Sequence, residues 1–449
     1  MEYKNVKGTH DIFGPESELY DYITETCSDV AKLFGYKKTT PPVLERSELF
    51  TRSVGESSDV VRKEMYTFLD KGNRSITLRP EFTAGIVRLI VQNKLLFENE
   101  LPVKCFYYGP VFRYERPQLG RYRQFNQLGV ETIGSNNAMV DVDTILCALT
   151  MLNMLDLKDV TLKINTLGDQ ESRNNYKNAL INYFEPHINN MCEDCRERFE
   201  TNPLRILDCK DENDRKIIAD APKISNYLSL ESKNRFDAVL NLLTKMNVKY
   251  EIDETLVRGL DYYSETVFEF HYVSEAGNNY GAIGAGGHYS NLVSEVGGPN
   301  VPGIGFSFGV ERLASVLMDD NKFSSESSLD LYAISTDERY DELTYAITMT
   351  ARSLGLISEM CMEKAKLGSL LKKASKKNAK FALIIGEDEF INSYATIKDM
   401  NTTEQYKIPF EDFENNLNKL FTKDDCCDCD CDCEDEHCHC HCHCDHKED

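Results

Sequence analysis

Arg258, Gly259, Leu260, Asp261, Tyr262 and Tyr263 set one permanent cation beside a glycine, an acid and two phenols. An arginine fork grips a carboxylate or a phosphate from two sides. A phenol hydrogen-bonds a neutral polar ring. The set suits a small zwitterion with a polar side chain, met by a phosphate. A surface turn would use the same residue types, so the six residues are specific only in company. Residues 78–84 (with Glu81 and Thr83), 112–131 and 303–313 supply that company. In the last stretch Arg312 falls in the first turn of an expected helix. A cation there opposes the helix dipole unless an anion compensates it. A triphosphate tail would do so; a solvated arginine at a tight strand–helix turn is the plainer alternative. A dinucleotide fingerprint is excluded, because its third glycine would fall on Phe308.

These residues need elements to hold them. Residues 105–115 and 124–133 read as two strands, and the turn-forming, arginine-rich stretch between them makes a hairpin with a basic tip. Strand parity puts Gln127, Gly129 and Glu131 on one face, and Val111, Arg113 and Glu115 on one face of the partner. Polar residues on an inward sheet face are unusual unless they line a site. Residues 16–34 read as a helix stopped by Gly35. Pro41 and Pro42 break the β-prone stretch that follows, as at an edge strand or a chain bend. A helix is expected over 139–156, helical and charged sequence over 170–250, and strands over 267–273 and 280–283. Residues 319–328 are polar and read as a linker. Strands at 331–334 and 381–385, with helices at 339–354 and 366–376, then describe a small α/β domain.

The net charge of −23 argues against broad nucleic-acid binding but allows a local basic patch for one RNA. Residues 424–449 hold eleven Asp/Glu and one Lys, so −10 of that charge sits in the tail. The first residues open no apolar signal segment and no run is long enough to span a bilayer, so a cytoplasmic location is expected. Nine of the 16 cysteines lie in the tail, and the remaining seven are ordinary for a reduced compartment. Cys192, Cys195 and Cys209 are one ligand short of a structural zinc site, for which His187 is a candidate fourth; three ordinary reduced thiols are the favoured reading of the sequence. In the tail, Cys426, Cys429, Cys431, Cys433, His437, Cys438, His439, Cys440, His441 and Cys442 form a ligand-dense run. It is expected to take Zn²⁺ or another soft metal without one defined geometry.

Together these segments resemble the histidyl-tRNA synthetase family of class II aminoacyl-tRNA synthetases. Residues 7–11 resemble its opening, 41–45 its first motif, 112–118 its second and 303–313 its third. Residues 256–270 and 284–292 resemble its two histidine signatures. The resemblance implies an α+β fold: an antiparallel sheet flanked by helices in two parts (1–168 and 251–320), an α-helical insertion (169–250) and a C-terminal α/β anticodon-binding domain (329–421), followed by the tail (424–449). It implies ATP-dependent ligation of L-histidine to tRNA(His) through a histidyl-adenylate, with Mg²⁺, in a homodimer. Glu81, Thr83 and Gln127 match residues that bind the amino group of histidine. Glu131 and Tyr263 match those that read the imidazole nitrogens, with Tyr262 and Tyr289 beside them. Arg258 and Arg113 match arginines on the α-phosphate, the pair given the catalytic role, and Arg312 the one on the γ-phosphate. Glu115 and Arg121 match the ATP side, and Arg116 and Gln118 the loop that meets the tRNA acceptor end.

The chain departs from the family where Arg-Tyr-Asp-Gly is replaced by His288, Tyr289, Ser290 and Asn291. Losing both members of a charged pair is milder than losing one, so the fold is expected to survive, with His288 as a structural hydrogen-bonder. The rival reading is a catalytically silent, histidine-sensing regulatory paralogue. Arg113, Arg312 and the C-terminal domain weigh against it. A metal-buffering protein is a third reading, but the tail is too small a part of the chain to be its main function.

Overall fold

A computed structural model of the protein describes residues 3–55, 58–98, 100–116, 120–324 and 329–422. Gln118 and the tail ligands from Cys426 to Cys442 lie outside them. The chain splits into two compact units, Met1–Ser324 and Ser325–Asp449.

The first unit is built on an eight-stranded sheet. Its strand order is Lys37–Lys38, Val103–Phe112, Gln124–Ile133, Gly303–Gly309, Asn279–Tyr289, Thr266–Val273, Thr161–Thr166 and Tyr250–Ile252. The six central strands are antiparallel, and the two outermost ones pair in parallel. Pleat alternation separates its two faces. Phe106, Leu128, Val130, Ile304, Phe306 and Phe308 point into a core covered by the helices Pro15–Leu33, Ala138–Met154, Leu230–Lys245 and Val310–Asp319. The intervening residues face the other way, toward the helix Thr83–Gln92 and a three-stranded sheet of Leu44–Arg46, Ser75–Leu78 and Tyr66–Leu69. Cys105, Tyr107, Val111, Gln127 and Glu131 lie on that second face, which keeps the parity expected for the hairpin. The first helix ends where Gly35 takes φ +80°, a conformation that favours glycine. Lys37–Lys38 forms the sheet edge, and Pro41 and Pro42 turn the chain away into the small sheet.

Two sequence expectations need correction. The first hairpin strand ends at Phe112, so Arg113 is not mid-strand. Its N–H still donates to the Arg123 carbonyl at 2.9 Å, which holds it at the mouth of the hairpin. The strand expected over 280–283 runs on to Tyr289. Gly284, Gly286 and Gly287 hide that strand from propensity reasoning.

Between the sheet strands, the segment from Gln170 folds into helices around its own small core of Tyr176, Leu180, Phe184, Met191, Cys195 and Ile206. Phe236, Val239 and Leu243 of the helix Leu230–Lys245 join the main core instead. The second unit has a five-stranded sheet in the order Ser358–Met360, Leu331–Ser335, Phe381–Ile385, Tyr394–Asp399 and Gln405–Pro409. The first three strands are parallel and the last two antiparallel. Asp341–Ser353, Leu367–Lys376 and Phe413–Thr422 are its longer helices.

Candidate active site

The second face of the large sheet carries a cavity of about 400 Å³. Glu81, Thr83, Arg113, Glu115, Arg121, Gln127, Glu131, Arg258, Tyr262, Tyr263 and Arg312 all border it. Tyr289 stands behind the wall, buried, with its hydroxyl 2.9 Å from Glu131 Oε2. Arg116 is exposed and outside the lining.

One end of the cavity is built around Glu131, which is 1% exposed. Its Oε1 accepts from the hydroxyls of Thr83 at 2.7 Å and Tyr107 at 3.2 Å, while Tyr289 donates to Oε2. Burial pushes its carboxyl up to about 8 despite these donors. Gly305 lies opposite Glu131 in the neighbouring strand. A Cβ there would come within 2.0 Å of Glu131 Oε2, so only glycine leaves room for the carboxyl group. Likewise Gly303 makes space for the Tyr289 ring, and Gly287 for Tyr263. Glu81 accepts the N–H groups of Thr83 at 2.6 Å and Ala84 at 2.9 Å, at the start of the helix Thr83–Gln92. Those bonds fix the carboxylate at the pocket wall, while burial raises its pKa. A carboxylate keeps lone pairs beyond these two bonds for an ammonium group.

The other end is cationic. Arg113 Nε donates to the Pro80 carbonyl at 2.8 Å, which ties the hairpin to the Glu81 segment. Arg258 Nη1 donates to Glu269 at 2.7 Å, and Glu269 also meets His271 Nε2 at 2.8 Å. The Arg258 Nε is buried with no protein partner among the described residues. Arg312 projects from the first turn of Val310–Asp319 and donates to the Ala282 carbonyl. Burial lowers its pKa, and the neighbouring Arg121 lowers it further. Two cations at a helix N-terminus are of the kind that can hold a polyphosphate. The N-terminal stretch buttresses the same hairpin: Gly8, at φ +86°, accepts the Arg123 N–H at 2.7 Å, and the His10 and Tyr122 rings lie 4.4 Å apart.

Residues 8–313 match the family model described as histidyl-tRNA synthetase, and residues 331–420 match the anticodon binding domain. A histidine–tRNA ligase of Natranaerobius thermophilus is 44% identical over 422 residues, covering 94% of this chain and 100% of the relative. The chain belongs to the histidyl-tRNA synthetase family. A histidine–tRNA ligase of Bacillus subtilis is 41% identical over 414 residues, covering 92% of this chain and 98% of that one. The crystal structure of apo Staphylococcus aureus histidyl-tRNA synthetase superposes with a TM-score of 0.78 at 34% identity, covering 92% of this chain and 99% of that one. A Bacillus halodurans structure described as an ATP phosphoribosyltransferase regulatory subunit/histidyl-tRNA synthetase shares the fold, with a TM-score of 0.59 at 20% identity, over 85% of this chain and 97% of that one.

In this family member several pocket residues carried no signal in the sequence reading. Glu269 orients Arg258, Tyr107 donates to Glu131, and Arg205 donates to the Gly259 carbonyl at 2.9 Å from the helical insertion. Glu269 alternates with the core residues Phe268 and Phe270 of its strand, so strand parity could have found it; Arg205 is brought in by tertiary packing alone. The expectation for His288 fails: both ring nitrogens are buried without a protein partner among the described residues, and burial lowers its pKa to about 3. It is a neutral packing residue. Beside it, Ser290 and Ser264 share a hydroxyl–hydroxyl bond of 2.8 Å, a neutral pair where the family has a charged residue.

Proposed function

We propose that this chain ligates L-histidine to tRNA(His) in two steps within the one cavity. The histidine carboxylate attacks the α-phosphorus of ATP in line. A P–O bond forms, the α–β bridging oxygen leaves with diphosphate, and histidyl-adenylate remains. A terminal ribose hydroxyl of tRNA(His) then attacks the carbonyl carbon, and AMP departs. No side-chain nucleophile takes part.

Glu81, Thr83 and Gln127 hold the ammonium group of histidine. Glu131 accepts from one imidazole nitrogen and the Tyr263 hydroxyl donates to the other, while Tyr262 and Tyr289 shape the walls. Such a site rejects apolar isosteres, because they would leave its own polar groups unpaired. Arg113 and Arg258 stabilise the charge that grows on the α-phosphoryl oxygens. Arg312 and Arg121 take the outer phosphates, with Glu115 holding Arg121 at 3.6 Å. Mg²⁺ enters with the nucleotide as part of the substrate and screens its phosphates. Arg116 and Gln118 belong to the loop that meets the acceptor end, and the C-terminal unit meets the anticodon. In this reading the enzyme works in the cytoplasm as a homodimer; among the described residues no helix is long and apolar enough to cross a membrane.

The observation that carries this reading is the convergence of four distant segments on one cavity, acidic and phenolic at one end and cationic at the other. Amino-acid-dependent pyrophosphate exchange tests it. Histidine alone of the twenty amino acids should support exchange, and charging should be confined to tRNA(His). Exchange driven equally by another amino acid would overturn the assignment.

A further inference from the structure

Cys192, Cys195, Cys209 and Asp214 take no part in the reaction proposed above, yet they converge in the helical insertion. Cys192 caps the helix Glu193–Thr201, and Cys195 lies in its first turn. Cys209 follows the 3₁₀ turn Pro203–Asp208, and Asp214 belongs to the helix Glu212–Ile218. One ligand atom from each lies within 4.8 Å of all the others. We propose that these four side chains bind a structural zinc ion.

The distances fit. Cys192 Sγ and Cys209 Sγ are 3.8 Å apart, and Cys209 Sγ is 3.3 Å from Asp214 Oδ2. Zinc–sulfur bonds of about 2.3 Å in a tetrahedron give sulfur–sulfur edges of about 3.8 Å, and a zinc–oxygen bond of about 2.1 Å gives sulfur–oxygen edges of about 3.6 Å. The surroundings fit as well. The Cys195 N–H points to Cys192 Sγ and the Asp211 N–H to Cys209 Sγ, both at 3.4 Å, and the Cys192 N–H meets Asp214 Oδ2 at 3.1 Å. Donors placed this way orient the ligand atoms and stabilise their anionic forms.

Asp214 decides against ordinary thiols. It is 1% exposed, and the groups reaching its carboxylate are the Cys192 N–H and the cysteine thiols. Among the described residues no Lys, Arg or His pairs with it. A buried carboxylate among thiols calls for a cation. A Cys192–Cys209 disulfide would leave both Cys195 and Asp214 unexplained. His187, the candidate fourth ligand of the sequence reading, lies against Tyr183 instead, with ring centroids 5.6 Å apart. Zinc would bind as the thiol protons leave to solvent. It would tie together three short segments of the insertion that bring the four side chains from separate parts of the sequence. The turn it fixes carries Arg205, which holds Gly259 beside Arg258.

The tail also contains cysteines, so the test must resolve individual positions in the full chain. The protein is purified reduced, treated with N-ethylmaleimide with zinc present or after chelation, and read peptide by peptide. Cys192, the only partly exposed thiol of the three, should react about tenfold faster after chelation, because a metal-bound thiolate is shielded from the reagent. Equal rates, or recovery of a Cys192–Cys209 disulfide, would overturn the proposal. Zinc should also raise the Tm of the chelated wild-type chain more than that of Asp214→Asn, since the tail is common to both. An equal rise in both would overturn it too. If the variant does not fold, the alkylation result on the wild type decides alone.

Discussion

In the proposed reaction amino-acid selection turns on Glu131, and its environment gives it a measurable pH signature. Burial lifts its folded pKa from 4.5 to about 8. Between those values the folded chain keeps a proton that the unfolded chain has released, so this residue's contribution to stability falls as pH rises across the window. Glu131→Gln removes the titration. The denaturation midpoint of the variant should therefore gain on that of the wild type from pH 5 to pH 8. A gap that stays constant with pH would show that Glu131 is ionised throughout. The same variant should lose histidine-dependent exchange, because its amide turns one of the two carboxyl oxygens, both of which accept from Thr83, Tyr107 or Tyr289 hydroxyls, into an NH₂ donor. Arg258 tests the other end of the cavity. Its guanidinium is held by Glu269 and keeps its Nε free of protein partners. Arg258→Ala should lower the exchange rate by about 10²–10³, the usual cost of removing one preorganised donor from a developing anion. Near-native exchange would remove it from the α-phosphate.

At the scale of elements, the site is a consequence of strand parity. The alternation of Leu128 and Val130 with Gln127, Gly129 and Glu131 was legible in the sequence, because a period of two is the strongest signal a half-buried strand gives. So was the basic hairpin tip. The strand Asn279–Tyr289 was only partly legible, since its glycines serve packing on both faces: Gly287 clears space for Tyr263, as Gly303 and Gly305 do for Tyr289 and Glu131, while Gly284 and Gly286 make room for the core rings of Phe308 and Phe268. Gly305→Ala should raise the KM for histidine more than the KM for ATP, because its Cβ would strike the Glu131 carboxyl group, and it should also lower the Tm, because that Cβ would meet the Val130 carbonyl at 2.4 Å. Equal effects on both would mean that the strand itself had shifted. Contacts between distant elements were not legible at all. Arg205 reaches Gly259 and Asp59 from the insertion at 2.9 and 3.2 Å, and no local pattern announces such a bond. The departure at His288 was visible, but its outcome was not, because whether a buried histidine finds a partner depends on neighbours far along the chain.

On the scale of the whole molecule, the two units each enclose a separate hydrophobic core. Every described residue of the candidate site belongs to the first unit, from Glu81 to Arg312. A chain's adenylate chemistry then depends on the first core, and recognition of the far end of the tRNA on the second. Residues 1–324 expressed alone should keep histidine-dependent pyrophosphate exchange, while charging of tRNA(His) falls steeply through a higher KM for the tRNA. The physical reason is that a second contact on the same RNA acts at high effective concentration, and its removal leaves only the acceptor-end contacts. A chain ending at Lys423 should behave differently. It retains both cores and everything matched by the two family models, which end at residue 420, so it should charge tRNA(His) at the full rate. Loss of exchange in the first case would place part of the active site in the second unit. Loss of charging in the second case would make the Cys- and His-rich tail part of the enzyme.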